Sequence, residues 1–169
     1  MEIIDNIFSE EERKKLIEIS KPLLVPSERL QASSLEYDVD GKPRGRKFYP
    51  GKQSFPTVHL HPDFQYYFNH IVELVNNTGI RVKVKEAWIN YHYTRRPLNW
   101  HTHPRTGSDH CAIYYMKTNW IDSGTVFRDK FVKVPQNSLL LFSCHLEHSV
   151  PRNLLGLKRY TLAMDLTSI

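Results

Sequence analysis

The chain is poor in the residues that crosslink, hinge or anchor a protein. Its 169 residues include two cysteines and seven glycines, and no run of about 18 apolar residues predicts a transmembrane helix. Cys111 and Cys144 form no C-x-x-C pair, so we interpret both as reduced, small apolar residues in strands. The N-terminus lacks the basic and apolar regions of a signal peptide. We therefore expect one domain, spanning residues 1–169, in the cytoplasm.

Several catalytic motifs are also missing. No G-x-x-x-x-G-K-[ST] or G-x-G-x-x-G sequence supports a P-loop or a Rossmann fold, and Ser108, Ser143 and Ser149 lie in no G-x-S-x-G context. Much of the net charge of +5 is concentrated in residues 42–47, followed by Lys52. This basic stretch is suited to nucleic acid, to an acidic substrate or to a lid. We favour a solvated loop, because the stretch has no repeat and little stacking surface.

The N-terminal part of the chain predicts two helices. Ser9 and Glu12 match a capping box at the start of the first helix, and Pro22 limits it. A second helix is predicted to begin at Pro62 and to stop at Gly79. Its apolar residues follow helical spacing and are expected to face the core: Phe64, Tyr67, Phe68, Ile71, Leu74 and Val75.

After Gly79 the hydrophobic pattern changes to the period of two that is typical of strands. Strands are predicted at residues 81–85, 112–116, 125–127, 131–134, 138–142 and 160–166. Helices followed by many short strands predict an α+β, mainly β fold, in which N-terminal helices support a sandwich or barrel. Residues 27–56 match no regular element and are expected to shape substrate entry.

Three histidines form the most informative pattern. His101 and His103 are two residues apart, so on a strand both imidazoles point to the same face, and His148 would approach from another strand. Three neutral imidazoles can bind Zn(II), Fe(II), Cu or Ni. Because the chain has nine histidines, surface or hydrogen-bonded core histidines are the alternative. Pro104 marks a strand-to-loop boundary, where functional sites are common.

Arg159 begins a run that otherwise predicts a buried strand. A buried guanidinium needs a partner, and its planar fork suits a carboxylate held by two hydrogen bonds. Thr161 points to the same face and can add a hydroxyl group. The carboxylate either belongs to a ligand or is internal, from Asp165 or Glu86, in a structural ion pair.

In this order and spacing the residues resemble those of the 2-oxoglutarate-dependent, Fe(II)-binding oxygenases. The family pattern is H-x-D/E, a distal His, and an Arg followed two residues later by a small hydroxyl residue. Here it is matched by residues 101–103, His148 and residues 159–161. His148 is preferred to His145 because its interval to Arg159 is the usual one. The resemblance implies Fe(II) on His101, His103 and His148, and 2-oxoglutarate on Arg159, Thr161, Tyr115 and Tyr91, with Tyr91 at the metal end.

Other segments extend the resemblance over nearly the whole chain. Residues 112–116 resemble the family's I-Y-Y-L strand, and residues 134–142 resemble its P-x-x-G-x-L-x-x-F strand, with Asn137 where glycine is usual. Asn99 and the H-x-H-P run are similar to putative oxygenases of phages and marine bacteria. The resemblance implies a double-stranded β-helix (jelly-roll, cupin-like) core with two N-terminal supporting helices.

One departure concerns the ligand set. His103 takes the position of the usual carboxylate, which leaves an Fe(II) complex one charge unit more positive than a two-histidine, one-carboxylate site. Asp109, in the following loop, is the alternative third ligand, and His110 is a weaker one. We place His103 ahead of Asp109.

The resemblance implies an enzyme that couples the oxidative decarboxylation of 2-oxoglutarate by O2 to the oxidation of a second substrate. Two alternatives remain open. A cupin-like three-histidine dioxygenase would use no keto acid, and Arg159 would be paired internally. A non-enzymatic module would use its basic loop to hold nucleic acid or an acidic partner and would bind no metal; nucleic acid is the least favoured partner.

Overall fold

The structure is a computed structural model that describes residues 1–27, 29–30, 35–37, 43–46, 51–95, 100–103 and 108–169. The predictions that concern Lys42, Lys47, Asn99 and Pro104 fall on residues outside these ranges.

The first helix, α1, spans Glu10–Ser20 and begins with the predicted capping box. Ser9 Oγ accepts a hydrogen bond from the Glu12 N–H at 3.2 Å, and Glu12 Oε2 accepts one from the Ser9 N–H at 2.9 Å. These contacts satisfy two N–H groups that a helix start leaves without partners. A 3-10 turn at Lys21–Leu23 contains Pro22 and follows the helix directly, as predicted.

The second helix, α2, spans Gln65–Asn77 and follows a 3-10 turn at Pro62–Phe64. Gly79 follows its C-terminus with a φ of 91°, a backbone region that favours glycine. In the described part of the chain, no helix combines the length and apolarity needed to cross a membrane. The buried residues of this segment confirm the predicted stripe: Phe64, Tyr67, Phe68, Ile71 and Val75.

The β-strands of the described residues are β1 (Glu2–Ile4), β2 (Val25–Pro26), β3 (Leu35–Tyr37), β4 (Pro43–Arg46), β5 (Gly51–Gln53), β6 (Val82–His92), β7 (His110–Lys117), β8 (Gly124–Phe127), β9 (Phe131–Lys133), β10 (Leu139–Ser143), β11 (His148–Ser149) and β12 (Arg159–Ser168). A seven-stranded antiparallel sheet has the order β1-β10-β7-β12-β6-β5-β2. A smaller sheet has the order β11-β8-β9, and β3 pairs with β4. The predicted α+β, mainly β class is confirmed.

The large sheet packs against a different partner on each face. On one face, its apolar side chains join Leu16 of α1 and Phe68 of α2 in the main core. On the other face, Tyr115 and Phe142 pack against Phe127 of the smaller sheet in a second cluster. The two sheets therefore enclose an interior between them, with the helices behind the larger one.

One sequence expectation changes at the periphery of the fold. Residues 27–56 include β3, β4 and β5, so the expectation that they match no regular element is wrong. These strands are only three or four residues long, and such short strands give too few repeats for a period of two to be visible. Asn137, at the position where the pattern that the sequence resembles has glycine, has a φ of 66°, a backbone region that favours glycine. Its side chain accepts hydrogen bonds from the Phe8 N–H (3.2 Å) and the Tyr114 hydroxyl (2.7 Å).

Candidate metal centre

The structure brings the three predicted histidines together at the edge of the smaller sheet. His148 lies on β11, and its backbone forms an antiparallel bridge with His101, with both N–H···O distances at 3.0 Å. The ring centroids are 4.2 Å apart for His101 and His148, 5.1 Å for His101 and His103, and 5.3 Å for His103 and His148. One ring nitrogen from each histidine lies within 4.8 Å of the other two. The arrangement is that of a three-imidazole donor set.

The local backbone differs from the strand that the H-x-H spacing predicted. Only His101 takes part in a bridge, while Thr102 and His103 lie outside any strand. The His103 N–H instead donates to the Cys144 carbonyl at 3.1 Å, which attaches this segment to the end of β10. Convergence of the side chains thus depends on two hydrogen-bonded attachments and not on strand alternation.

His148 is held in a closely packed environment. Its side chain is buried, Phe142 approaches the ring edge-on at 4.9 Å, and Nδ1 lies 3.0 Å from the Leu146 carbonyl. A carbonyl oxygen only accepts hydrogen bonds, so Nδ1 donates and Nε2 keeps its lone pair. Burial, reinforced by the nearby His101, lowers the pKa of His148 to about 3. The ring is therefore neutral at physiological pH, as a metal ligand must be.

His103 is oriented by an aromatic ring and a carboxylate. Trp88 stacks on it with the ring centroids 5.7 Å apart, and its Nδ1 lies 3.3 Å from Asp165 Oδ1. From the sequence, Asp165 was expected only as a partner for Arg159, and its place beside the histidines was not predicted. Strand alternation could have indicated this place, because Asp165 lies on the same face of β12 as Arg159 and Thr161.

The alternative third ligand, Asp109, does not join this group. It is exposed and accepts a hydrogen bond from the Ser168 N–H at 2.8 Å, which lowers the pKa of its carboxyl group. It therefore caps the end of β12. Among the described residues, the groups of potential ligands whose donor atoms come close together include His103 and not Asp109 or His110.

Arg159 is buried on the inner face of the large sheet. It donates to the Gly124 carbonyl at 2.9 Å and to the Asp122 carbonyl at 3.5 Å, and its guanidinium lies 5.2 Å from the Tyr115 ring centroid. Within the described ranges no carboxylate lies at ion-pair distance from it. Asp165 lies six residues further along the strand, about 20 Å away at roughly 3.3 Å per residue. The internal ion pairs considered from the sequence are therefore absent among these residues.

Thr161 and Tyr115 lie opposite each other on β12 and β7, next to Arg159. The Tyr115 hydroxyl lies 2.6 Å from Thr125 Oγ1, and Thr161 Oγ1 accepts a hydrogen bond from Asn90 Nδ2 at 3.3 Å. Asn90 was not predicted as a site residue. Its position follows from the pairing of β6 with β12, where Thr161 faces Asn90.

The structure does not bring Tyr91 to this group. Its ring stacks on Tyr160 with the centroids 4.5 Å apart and packs against the helix-backed core. Successive strand residues point to opposite faces, so Asn90 and His92 face the interior and Tyr91 does not. The expectation that Tyr91 contacts 2-oxoglutarate fails on this geometry. The apolar series at 87, 89 and 91 would have revealed this alternation.

Among the comparisons with known proteins, only the solved structures give matches, and these concern the fold. No protein-family model matches the sequence, and no curated protein matches it either. Solved structures do match. A prolyl hydroxylase from Trichoplax adhaerens, in complex with a hypoxia-inducible-factor peptide fragment, superposes with a TM-score of 0.67 at 15% identity, covering 98% of this chain and 82% of that chain.

Two further structures show the same likeness. The viral collagen prolyl hydroxylase of Paramecium Bursaria Chlorella virus-1, in complex with 2-oxoglutarate, has a TM-score of 0.62 at 12% identity and covers 99% of this chain and 96% of that chain. HygX from Streptomyces hygroscopicus, with nickel, 2-oxoglutarate and hygromycin B bound, has a TM-score of 0.66 at 13% identity, with coverage of 98% and 81%.

The chain therefore has the double-stranded β-helix fold of the 2-oxoglutarate/Fe(II) oxygenases, and the resemblance predicted from the sequence is confirmed at the level of the fold. The finer similarity to putative oxygenases of phages and marine bacteria stays a prediction, because none of these structures bears on it.

Proposed function

We propose that this protein is a non-haem Fe(II)- and 2-oxoglutarate-dependent oxygenase. His101, His103 and His148 would hold the metal, and Arg159 would bind the far carboxylate of 2-oxoglutarate. The observation that carries the proposal is the coexistence of three converging imidazoles and a buried arginine in one interior. No carboxylate of the described residues pairs with that arginine. A ligand that brings its own carboxylate would supply what the buried guanidinium lacks.

The donor set fits a first-row divalent metal. Three imidazole nitrogens suit Fe, Zn, Cu or Ni, and the hydrogen-bonded, buried ring of His148 is neutral and pre-oriented. Fe(II), when bound, would supply the redox chemistry that couples decarboxylation of 2-oxoglutarate to oxidation of the second substrate by O2. The chain's own contribution is binding, orientation and exclusion of water.

The inner face of β12 offers an ordered series of side chains for the co-substrate. Arg159 provides a forked cation, Thr161 a hydroxyl group, and Ala163 only a methyl group, before Asp165 is reached near His103. A residue as small as Ala163 would leave room for a ligand between Arg159 and Asp165 on this face. Phe127 and Phe142 pack against the buried ring of His148, and electrostatic contacts are stronger where side chains are buried than in water.

The direct test is an anaerobic titration of the Fe(II)-loaded protein with 2-oxoglutarate, followed by a visible metal-to-ligand charge-transfer band. Arg159→Ala should weaken 2-oxoglutarate binding by roughly 10- to 100-fold, the value of hydrogen bonds to a charged group, and should leave Fe(II) affinity unchanged. Arg152→Ala, an exposed arginine nearby, is the matched control and should change neither. Equal loss of both ligands in Arg159→Ala would contradict the assignment.

A three-histidine dioxygenase that uses no keto acid is the second candidate, favoured by the absence of a carboxylate from the converging set. It predicts O2 consumption with substrate alone and an internally paired arginine. Arg159 does contact two backbone carbonyls, but these neutral acceptors leave its charge uncompensated. Succinate formation that requires 2-oxoglutarate would decide between the two enzymes. Salt-sensitive binding of nucleic acid without bound metal would instead favour the non-enzymatic module.

A further inference from the structure

Asp165 is a buried carboxylate whose burial is not explained by its hydrogen bonds. It is 1% exposed, Oδ1 accepts one weak hydrogen bond from the Cys111 Sγ–H at 3.4 Å, and Oδ2 is buried without a partner among the described residues. Burying a carboxylate with so few donors is costly. A group of this kind in a native fold calls for a functional cause.

The cause is suggested by its neighbour. Asp165 Oδ1 lies 3.3 Å from His103 Nδ1, and Trp88 stacks on the same imidazole. The two ring nitrogens of a histidine point in widely different directions, so an Nδ1 that faces Asp165 leaves Nε2 for the cluster formed with His101 and His148. Metal-bound histidines commonly donate their second N–H to a carboxylate, which fixes the tautomer and makes the ligand more basic.

We propose that Asp165 is the positioning residue of this metal centre. Acting through the imidazole of His103, it would replace the carboxylate that the ligand set lacks. This inference rests on the proposed function. Asp165 would accept the Nδ1–H of His103, aim Nε2 at the ion, and return to the site the unit of negative charge lost when histidine occupies the usual carboxylate position.

The principal alternative is that Asp165 is itself a ligand. Donor atoms of His103, Cys111 and Asp165 also lie within 4.8 Å of one another. In that arrangement a metal would take the Cys111 sulfur and the Asp165 oxygen directly. In the structure the Cys111 Sγ–H donates to Asp165 Oδ1, so this sulfur is a hydrogen-bond donor and is not arranged as a thiolate ligand.

The experiment measures Co(II) binding to the metal-free protein by anaerobic calorimetry and visible absorption. Asp165→Asn keeps the shape and removes the charge, and we expect it to lower Co(II) affinity roughly 10- to 100-fold. Asp109→Asn is the matched control, because Asp109 is an exposed carboxylate outside the histidine group, and it should leave affinity at the wild-type value. A thiolate-to-Co(II) charge-transfer band in the wild type would overturn the proposal in favour of direct ligation.

A second variant separates charge from structure. His103→Asp gives the metal a carboxylate ligand of its own, placed beside the carboxylate of Asp165, and like charges at this distance repel. In this background Asp165→Asn should raise Co(II) affinity instead of lowering it. A merely structural Asp165 would lower affinity in both backgrounds, and that result would overturn the proposal.

Wild-type protein provides a measurement that does not depend on a variant's folding. With Zn(II) bound, 15N NMR should show His103 protonated at Nδ1, and the opposite tautomer would refute the inference. Failure of wild-type protein to bind any divalent metal would remove the proposed function as well. If the wild type binds both Co(II) and 2-oxoglutarate while folded Asp165→Asn binds Co(II) equally well, only the role of Asp165 is refuted.

Discussion

The two faces of the large sheet differ in chemistry although they share the same strands. On β12, the side chains of Tyr160, Leu162, Met164 and Leu166 enter the helix-backed core, and the intervening Arg159, Thr161 and Asp165 face the smaller sheet. All of these residues are buried. Burial therefore does not distinguish the two faces. They differ in polarity, because apolar and polar side chains alternate along the strand.

This contrast separates the face that holds the fold together from the face that carries the proposed binding residues. Each buried aliphatic side chain on the helix-backed face stabilises the fold by about 1.5–3 kcal/mol relative to exposure. Each incompletely paired polar group on the inner face costs about 1–3 kcal/mol. The inner face is thus kept at a cost to stability, as is expected where a ligand and a metal complete the interactions.

The largest expected effect comes from removing a side chain on the helix-backed face. Leu162→Ala should lower the free energy of unfolding by about 2–5 kcal/mol, because Leu162 is fully buried in the main core, and should leave the Co(II) affinity of the folded protein unchanged. Urea unfolding and calorimetry measure the two quantities.

Leu140→Ala makes the same substitution on the inner face, in the cluster that contains Phe127 and Phe142. It should weaken both stability and metal binding, since those two rings contact His148. Equal Co(II) affinities in the two variants would erase the distinction between the faces.

Two alanine-to-leucine substitutions, one on each face, test the same comparison with a smaller expected loss of stability. Ala163→Leu on the inner face and Ala112→Leu in the helix-backed core should each destabilise the protein by about 1–3 kcal/mol through overpacking. Only Ala163→Leu should also abolish 2-oxoglutarate binding, because the larger side chain would lie on the inner face between the proposed carboxylate-binding Arg159 and Asp165. Loss of 2-oxoglutarate binding in Ala112→Leu would show that the co-substrate site does not depend on the inner face.

The sequence was most informative where a pattern is local. The capping box at Ser9, the stripe of α2 and the central strands have the periodicity that their elements require, and the structure confirms them. The H-x-H pair and His148 were found by type and spacing, although their segment is not the predicted strand. Local pattern thus indicated which side chains converge better than it indicated the backbone conformation that presents them.

What the sequence did not reveal depends on pairing between distant strands. Asn90 was not predicted as a site residue, because its place beside Thr161 is fixed by the register of β6 with β12. β11 is only two residues long, and its bridge to His101 is a tertiary contact. The place of Asp165 beside His103 depends equally on a long-range contact, which no window of sequence contains.

The smallest expected effect lies at the exposed rim of the helix layer, where α1 meets α2. The Glu12 carboxylate accepts hydrogen bonds from the Tyr66 hydroxyl and from Ser9, which lower its pKa to about 2. The unfolded chain, with an ordinary glutamate pKa of about 4.3, binds a proton first as pH falls. The contribution of the carboxylate is therefore complete above about pH 4.3 and is lost as pH falls toward about 2.

Glu12→Gln should consequently be less stable than the wild type at neutral pH by under about 1 kcal/mol, because the site is solvent-screened, and the difference should shrink as pH falls toward 2. Tyr66→Phe removes the largest cause of the shift, so the Glu12 pKa should move toward its ordinary value in an NMR titration. Tyr93→Phe, another exposed tyrosine, is the control and should not move it. A Glu12 midpoint already in the ordinary range in the wild type would show that the hydrogen bonds to the Glu12 carboxylate contribute nothing to stability.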